Sequence, residues 1–291
     1  MSPRASSNGP HLGLNMHPKW LQGGSPESFL LPLSEDGLHV LEFTLNLTAP
    51  DWPEFDTLIT ACRELGFRLS FHAPYKGPYN LSGFSGPQRP ALEALFAPAV
   101  GYAAAIARRQ GPTPLVVHGA KGTGARESLR RDTEAFLAWI EGREPNLCPA
   151  LELRVREQDM VKIGDSKKDL MAMVPCWRTP CGGICWDLGH DARNGPEIAP
   201  PGFIERVSHV HVHDLSPDGE DHNPLLFGNV LYREHLQDLR QAGYNRAIIL
   251  EVNGHVVTRL AAERETTSGC ILRESLHKLS ESFHGYQRVG S

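Results

Sequence analysis

The segment from Val207 to Pro224 reads VSHVHVHDLSPDGEDHNP and is rich in side chains that bind metals or move protons. His209, His211 and His213 alternate within it. Side chains on a β-strand point alternately to its two faces, so a strand here would place all three imidazoles on one face. The turn that follows contains a second group of ionisable residues, Glu220, Asp221 and His222.

This segment belongs to a wider pattern, because most predicted strands end in a histidine or a carboxylate. Eight apolar runs are predicted as strands, and they begin at Leu12, His39, Arg68, Pro114, Pro149, Gly182, His209 and Arg246. From the third run onward, the polar residues at the strand ends are His72, His118, Glu152, Asp187 with His190, His211 and Glu251. Buried charge is costly unless it is paired or bound to a metal. Six consecutive strands with such ends therefore favour one shared site over six unrelated loop starts.

Helical patterns separate the predicted strands. They lie near residues 51–66, 91–111, 125–141, 164–174, 196–206, 230–243 and 270–283, with a weaker candidate at 25–37. Pro98 is expected to kink or split the helix at 91–111. Alternation of strand and helix is typical of parallel sheets, and eight repeats predict a single (β/α)8 TIM barrel. A doubly wound open sheet is the alternative, but no G-x-G-x-x-G turn follows the first strand.

The barrel is expected to occupy residues 11–285, between a disordered N-terminus at 1–10 and a frayed tail at 286–291. Functional sites of such barrels form at the carboxyl ends of the strands, so the polar strand ends are predicted to converge there. Imidazole and carboxylate ligands suit zinc or manganese, with iron and cobalt as alternatives. We therefore expect a divalent-metal site at the barrel mouth.

Composition narrows the class of protein. The chain of 291 residues is 40% hydrophobic and 22% charged, and its net charge of −5 argues against a broadly basic surface. The six cysteines lack zinc-site spacing and are expected to be free thiols in a reducing compartment. The N-terminus lacks the apolar segment of a secretory signal, and no uninterrupted apolar run is long enough for a transmembrane helix. A cytoplasmic protein without a membrane partner is expected.

Seven short motifs follow one another between residues 39 and 255: HAPYKGPYNL, VVHGA, LELR, WDLGH, HVHD, EDHNPLLFGN and ILEV. This ordered series resembles the xylose isomerase-like TIM-barrel superfamily, which includes sugar isomerases, epimerases and endonuclease IV. The resemblance implies four metal ligands shared by these enzymes, Glu152, Asp187, His211 and Glu251. In this comparison, His211 starts an H-x-x-D pattern that Asp214 completes.

Endonuclease IV binds additional metals, and the resemblance implies ligands for them, so that one to three divalent ions are expected in all. His72 and His118 would hold one ion, and the ligands of another would be His190, His222 and Glu220, with Asp221 in reserve if the loop is shifted by one residue. Ordinary roles stay open for these residues, since the histidines can be neutral hydrogen-bonding groups and the loop acids can be solvated.

The chain also departs from endonuclease IV. Leu153-Arg154-Val155-Arg156 replaces the Asn-Thr-Ala-Gly that follows its strand-5 glutamate, and Asn46-Leu47-Thr48-Ala49-Pro50 replaces its basic DNA-binding loop. The turn between His211 and His222 is shorter and contains no arginine or lysine. It is more similar to the corresponding loop of members described as sugar-phosphate isomerases.

Two enzyme functions fit these residues. The first is a divalent-metal-dependent isomerase or epimerase of a sugar or sugar phosphate, in which Glu152 and Glu251 exchange a proton at carbon and His190 orients an oxygen. The alternative is an endonuclease IV-type phosphodiester hydrolase acting at abasic DNA sites with two or three ions. A non-catalytic metal-binding barrel is the third possibility.

Further candidates for substrate binding follow the strand ends. The cations that could hold an anionic substrate are Lys76, Lys121, Arg154 and Arg193. They could equally serve as counter-charges to the carboxylates or as solvated surface groups. Tyr75 is expected at the barrel rim, where its ring could stack on a sugar, and His213 is a candidate substrate or supporting group.

Overall fold

Eight parallel strands close into a barrel in the computed structural model, which describes residues 10–21, 24–46 and 51–284. The strands in chain order are β1 (His11–Asn15), β2 (Leu38–Thr44), β3 (Arg68–His72), β4 (Thr113–Val117), β5 (Lys121–Gly122), β6 (Leu147–Glu152), β7 (Val161–Lys162), β8 (Gly183–Asp187), β9 (Val207–Val212) and β10 (Ala247–Leu250). The order around the barrel is β1-β10-β9-β8-β6-β4-β3-β2, and β1 pairs with β2 to close it. The predicted TIM barrel is confirmed, and each of the eight predicted strands overlaps a barrel strand.

The remaining two strands form a small antiparallel ribbon at the carboxyl end of the barrel. β5 and β7 lie in the loops that follow β4 and β6, and Lys121 pairs with Lys162. The ribbon joins these two loops beside the strand ends. The predicted N-terminal segment, apart from Pro10, and the predicted tail lie outside the described residues, as do residues 47–50 of the loop after β2.

Helices cover the outside of the barrel. Within the described residues they are α1 (Pro26–Glu35), α2 (Trp52–Glu64), α3 (Arg89–Gln110), α4 (Arg126–Glu141), α5 (Lys167–Met173), α6 (Leu188–Asn194), α7 (Tyr232–Gln241), α8 (Gly254–Glu263) and α9 (Ser268–His284). In α4, Leu129, Phe136, Leu137 and Ile140 form the buried face, at the spacing of an amphipathic helix. β6 and β9 are buried at every residue, because one face lines the barrel and the other meets helices.

Pro98 does not split α3, because it lies on the exposed side, where water can satisfy the carbonyl that a proline leaves unbonded. One helix prediction was wrong. No α-helix occupies 196–206, where Pro196, Pro200 and Pro201 interrupt the pattern and only a short 3-10 turn forms at Ile204–Arg206. The helix forms earlier instead, as α6, directly after β8. α8 was not predicted.

α3 is the one described helix whose length and composition alone would allow it to cross a membrane. It packs against β4 and β6, and its buried residues include Phe96, Ala103 and Ile106. We therefore interpret α3 as a covering helix of the barrel.

The prediction of six free thiols was also wrong. Cys148, in β6, and Cys181, just before β8, form a disulfide with their Cα atoms 5.2 Å apart. The two residues are 33 positions apart in sequence, and they meet because β6 and β8 are neighbours in the barrel. Cys62, Cys176, Cys185 and Cys270 are free.

Removal of the disulfide should destabilise the barrel. For a closed loop of this length, replacement of Cys148 or Cys181 by alanine is expected to lower the free energy of unfolding by about 3 to 4 kcal/mol. Chemical denaturation would measure the loss, and the exposed free Cys270→Ala variant is the control. Four free thiols are expected when the protein is unfolded without a reducing agent and its thiols are titrated. A count of six would show that Cys148 and Cys181 are not linked.

Candidate metal centre

Four predicted ligands converge at the carboxyl end of the barrel. Glu152 and Asp187 are the last residues of β6 and β8, His211 lies in β9, and Glu251 directly follows β10. Each offers one ligand atom, and these atoms all lie within 4.8 Å of one another. Glu152, Asp187 and His211 are buried and Glu251 is nearly so.

The polar atoms of this cluster, which we call the central cluster, fit a divalent cation. Asp187 Oδ2, His211 Nδ1 and Glu251 Oε2 are buried, and none of them makes a hydrogen bond within the described part of the chain. Three carboxylates and an imidazole form a donor set suited to a divalent transition metal. A cation would supply the missing interactions of these atoms and offset the repulsion among the carboxylates.

The electrostatic environment keeps the carboxylates of the central cluster anionic. Burial alone would raise the pKa of Glu152, but the charge of His118 and hydrogen bonds from His118, His190 and His72 hold the pKa well below its usual range. Burial likewise opposes ionisation of Glu251, whose pKa is nevertheless held low by the charges of His211 and His222.

Two predicted histidines form a second cluster with Glu152. His72 Nε2 and His118 Nε2 lie 3.0 and 2.9 Å from the same oxygen, Glu152 Oε2. The Nδ1 of His72 lies 2.8 Å from the carbonyl oxygen of Ala73 and is placed to donate to it. A neutral His72 would then direct the lone pair of Nε2 at the carboxylate, an arrangement that a proton or a metal ion between the two groups would stabilise.

A third cluster consists of Asp187, His190, His213 and His222. His190 Nδ1 is 3.0 Å from the carbonyl oxygen of Leu153, which leaves Nε2 for other partners. His222 Nε2 is 3.5 Å from Glu251 Oε2, and the rings of His213 and His222 stack with centroids 4.3 Å apart.

Glu220, the predicted acidic ligand of this group, lies outside the clusters. Its carboxylate contacts Arg259 and His255 on α8 and is 40% exposed. Asp221 is the loop acid nearer the site, since its carboxylate lies 3.1 Å from His222 Nδ1 and also contacts Arg193. Asp221, which the resemblance held in reserve, is therefore the loop acid beside His222, although it belongs to none of the three clusters.

The loop that carries His222 is organised by Asp214. The Asp214 carboxylate accepts hydrogen bonds from the backbone amides of Leu215, Phe227, Gly228 and Asn229, at 2.6 to 3.0 Å. His222 itself has a φ of +56°, in the left-handed region that is uncommon for residues other than glycine. Such backbone persists where the surroundings hold it, and it is frequent at functional sites.

His213 lies beneath this loop and is fully buried. Its Nδ1 accepts a hydrogen bond of 2.9 Å from the backbone amide of His222, so a neutral His213 carries its proton on Nε2. That nitrogen is 3.2 Å from Asp187 Oδ1. The ring packs against Gly189, where any Cβ would lie 2.0 Å from the imidazole.

The predicted substrate-binding residues surround a cavity of about 340 Å³ at the barrel mouth. Tyr75 lies at its edge, with its ring centroid 4.9 Å from that of His72 and 4.7 Å from that of His118. Arg154 and Arg193 also line it. Lys121 lines a small neighbouring cavity, and the exposed Lys76 lies at the rim over the Tyr75 ring.

Sequence reasoning missed a buried carboxylate beneath the central cluster. Glu42, in β2, is fully buried, and its Oε1 is 3.0 Å from His211 Nε2. The other oxygen accepts a 2.8 Å hydrogen bond from His209 and one of 3.2 Å from Ser70. Burial would raise the pKa of Glu42, but the charge of His211 and hydrogen bonds from both histidines lower it. His209, to which the sequence assigned no role, therefore helps to hold the Glu42 carboxylate in place through this hydrogen bond.

Comparison with known proteins places this arrangement in a family. The D-psicose 3-epimerase of Clostridium cellulolyticum H10, solved with D-tagatose, aligns with a TM-score of 0.66 and 13% identity over 94% of this chain and 99% of that one. The D-allulose 3-epimerase of Methylomonas sp. in complex with D-allulose gives 0.65 and 13%, over 94% and 97%. A xylose isomerase domain protein of Alicyclobacillus acidocaldarius gives 0.64 and 18%, over 95% and 98%.

At identities this low, the structural similarity shows only that the fold is shared. No curated protein sequence is significantly similar to the chain. The family model described as xylose isomerase-like TIM barrel, however, matches residues 30–276. The chain therefore belongs to the xylose isomerase-like TIM-barrel family.

Proposed function

We propose that this protein is a divalent-metal-dependent isomerase or epimerase of a sugar or sugar phosphate, with zinc or manganese in the central cluster. The observation that carries the proposal is the placement of Glu152 and Glu251. They lie at the carboxyl ends of β6 and β10, which are separated in the barrel by β8 and β9, yet their ligand atoms lie within 4.8 Å of each other. Two carboxylates so placed can reach one carbon atom from two directions.

The residues of the site suit proton exchange next to a carbonyl group. One of the two glutamates removes the proton from the carbon and the other returns a proton from the opposite face, which inverts the centre. A divalent ion, when bound, supplies Lewis-acid stabilisation of the negative charge that develops on the sugar oxygens. His190 is placed to hold a sugar hydroxyl through Nε2, and Tyr75 offers an aromatic face at the cavity edge.

The second candidate function is the endonuclease IV-type phosphodiester hydrolase at abasic DNA sites. The contact of His72 and His118 with one oxygen of Glu152 favours it, because this cluster suits a further ion. We prefer the isomerase for two reasons. The carboxylate of Glu220 pairs with Arg259 instead of joining the third cluster, and the mouth cavity has the volume of a small-molecule site. The bound sugars named for two structural neighbours, D-tagatose and D-allulose, support the same preference.

Solvent exchange tests the proposed proton transfer. Manganese-loaded protein incubated with ketohexoses and their phosphates in D2O should incorporate one deuterium at the inverted or isomerised carbon, as seen by NMR. Glu251→Gln should reduce the rate on the order of 100-fold or more, since it removes a proton-transfer group and a ligand charge. Glu263→Gln, an exposed acid on α8, is the matched control. Absence of exchange with every sugar would contradict the proposed function.

Metal content separates the two candidate functions. The isomerase should bind one ion per chain, and this ion should persist in the His72→Ala and His222→Ala variants, because neither residue belongs to the central cluster. Mass spectrometry of metal in purified protein measures the number. Two or three ions, lost with these histidines and accompanied by nicking of a duplex with one abasic site, would favour the hydrolase.

Glu42 should strengthen metal binding through His211. A carboxylate behind a metal-bound histidine fixes the orientation of the ring and raises its basicity, and loss of such a group typically weakens metal affinity by about 10- to 100-fold. We expect this effect for Glu42→Gln in calorimetric titration with Mn2+. Glu141→Gln, which changes a buried carboxylate on α4 that binds Arg178 and Thr179, should leave the affinity unchanged. Equal loss in both variants would mean that Glu42 acts only on stability.

A further inference from the structure

Arg154 occupies a fixed position at the edge of the central cluster. It follows Glu152 by two residues, its backbone amide donates to the carbonyl of Gly164 at 2.8 Å, and its own carbonyl accepts from Asn194 at 2.8 Å. These bonds hold the backbone on both sides of the residue. The side chain lines the mouth cavity together with His118 and Glu152.

Among the described residues, four cations line this cavity, and three of them already have a carboxylate partner. Arg156 donates to Glu197 at 2.8 Å, Lys162 pairs with Glu157, and Arg193 pairs with Asp221. Within the described part of the chain, the guanidinium of Arg154 donates no hydrogen bond and lies within ion-pairing distance of no carboxylate. It is also half-buried.

An unpaired, partly desolvated guanidinium is unfavourable. The carboxylates whose charges act on Arg154 are Glu152, Glu157 and Asp165, and the last two are already paired with Lys162 and Arg126. Glu152 is already shared by His72, His118 and His190, and a cation in the central cluster would take up its remaining charge. Arg154 would then lack a counter-charge unless a ligand supplied one.

On the basis of the proposed function, we propose that the substrate is an anionic sugar whose phosphate or carboxylate group binds Arg154. The planar fork of a guanidinium matches both anions through two parallel hydrogen bonds. Because Arg154 and Glu152 line the same cavity, the anion would bind beside the metal-bound part of the sugar. Arg154 differs from two of the other predicted substrate-binding cations. Arg193 is already paired with Asp221, and Lys76 lies exposed at the rim.

Calorimetric titration of the manganese-loaded protein with matched ligands tests the proposal. The probes are D-fructose, D-fructose 6-phosphate and D-fructuronate, which compare a neutral ketose with its phosphate and carboxylate counterparts. Wild-type protein should bind one of the two anionic sugars more tightly than D-fructose. Arg154→Met should reduce this preference on the order of 10- to 100-fold, the usual effect of losing a charge-assisted hydrogen bond. Arg154→Lys should restore part of it, because the charge returns without the planar fork.

Arg156→Met is the matched control, because Arg156 lines the same cavity but is paired with Glu197. It should leave the ratio of anionic to neutral affinity unchanged. Circular dichroism and Mn2+ affinity verify that each variant is folded and loaded.

Equal binding of neutral and anionic sugars by wild-type protein, or equal loss of preference in both methionine variants, would overturn the role of Arg154. If D-fructose is epimerised without any anion preference, the proposed function stands and this inference fails. If none of the sugars binds or reacts, both fail.

Discussion

Glu152 is the residue on which the barrel mouth depends, because three histidines from different parts of the barrel converge on it. His72, at the end of β3, and His118, after β4, contact one carboxylate oxygen, and His190, from α6, lies 3.2 Å from the other. A buried carboxylate is tolerated only with such compensation. The same residue belongs to the central cluster, so the charge of Glu152 is divided between these histidines and any bound cation. The number of cations that the clusters could hold together would therefore depend largely on Glu152.

The sequence predicted the strands well, because parallel barrel strands are apolar on both faces and their ends carry the site residues. Glu251, for instance, directly follows the apolar run Ala247–Leu250. Glu42 was not predicted as a site residue, because it lies in the middle of the run HVLEFTL and not at a strand end. A single carboxylate in such a run has the pattern of a polar residue on the solvent face of a strand. Its partner His209 is 167 positions away, and no local pattern links the two. The Cys148–Cys181 disulfide was missed for the same reason, since only the order of strands brings its ends together.

The loop from Asp214 to Asn229 shows a different limit of sequence reasoning. The resemblance assigned Glu220 to the site, but side-chain direction in a turn depends on backbone dihedral angles that a resemblance in sequence does not specify. The left-handed φ at His222 and the four amides bound by Asp214 set the path of this loop. Along this path Asp221 lies beside His222, while Glu220 faces α8. Asp214 thus contributes to the site by folding a loop, without belonging to any of the ligand clusters.

The disulfide and the central cluster lie at opposite ends of the same two strands. Cys148 is near the start of β6 and Cys181 precedes β8, whereas Glu152 and Asp187 are the last residues of these strands. Without a cation, repulsion between the two carboxylates would tend to separate the strand ends. A covalent link at the other end, together with the hydrogen bonds between β6 and β8, resists that separation. The link would therefore help to keep the candidate ligands in place before a cation binds, which would reduce the conformational cost of such binding.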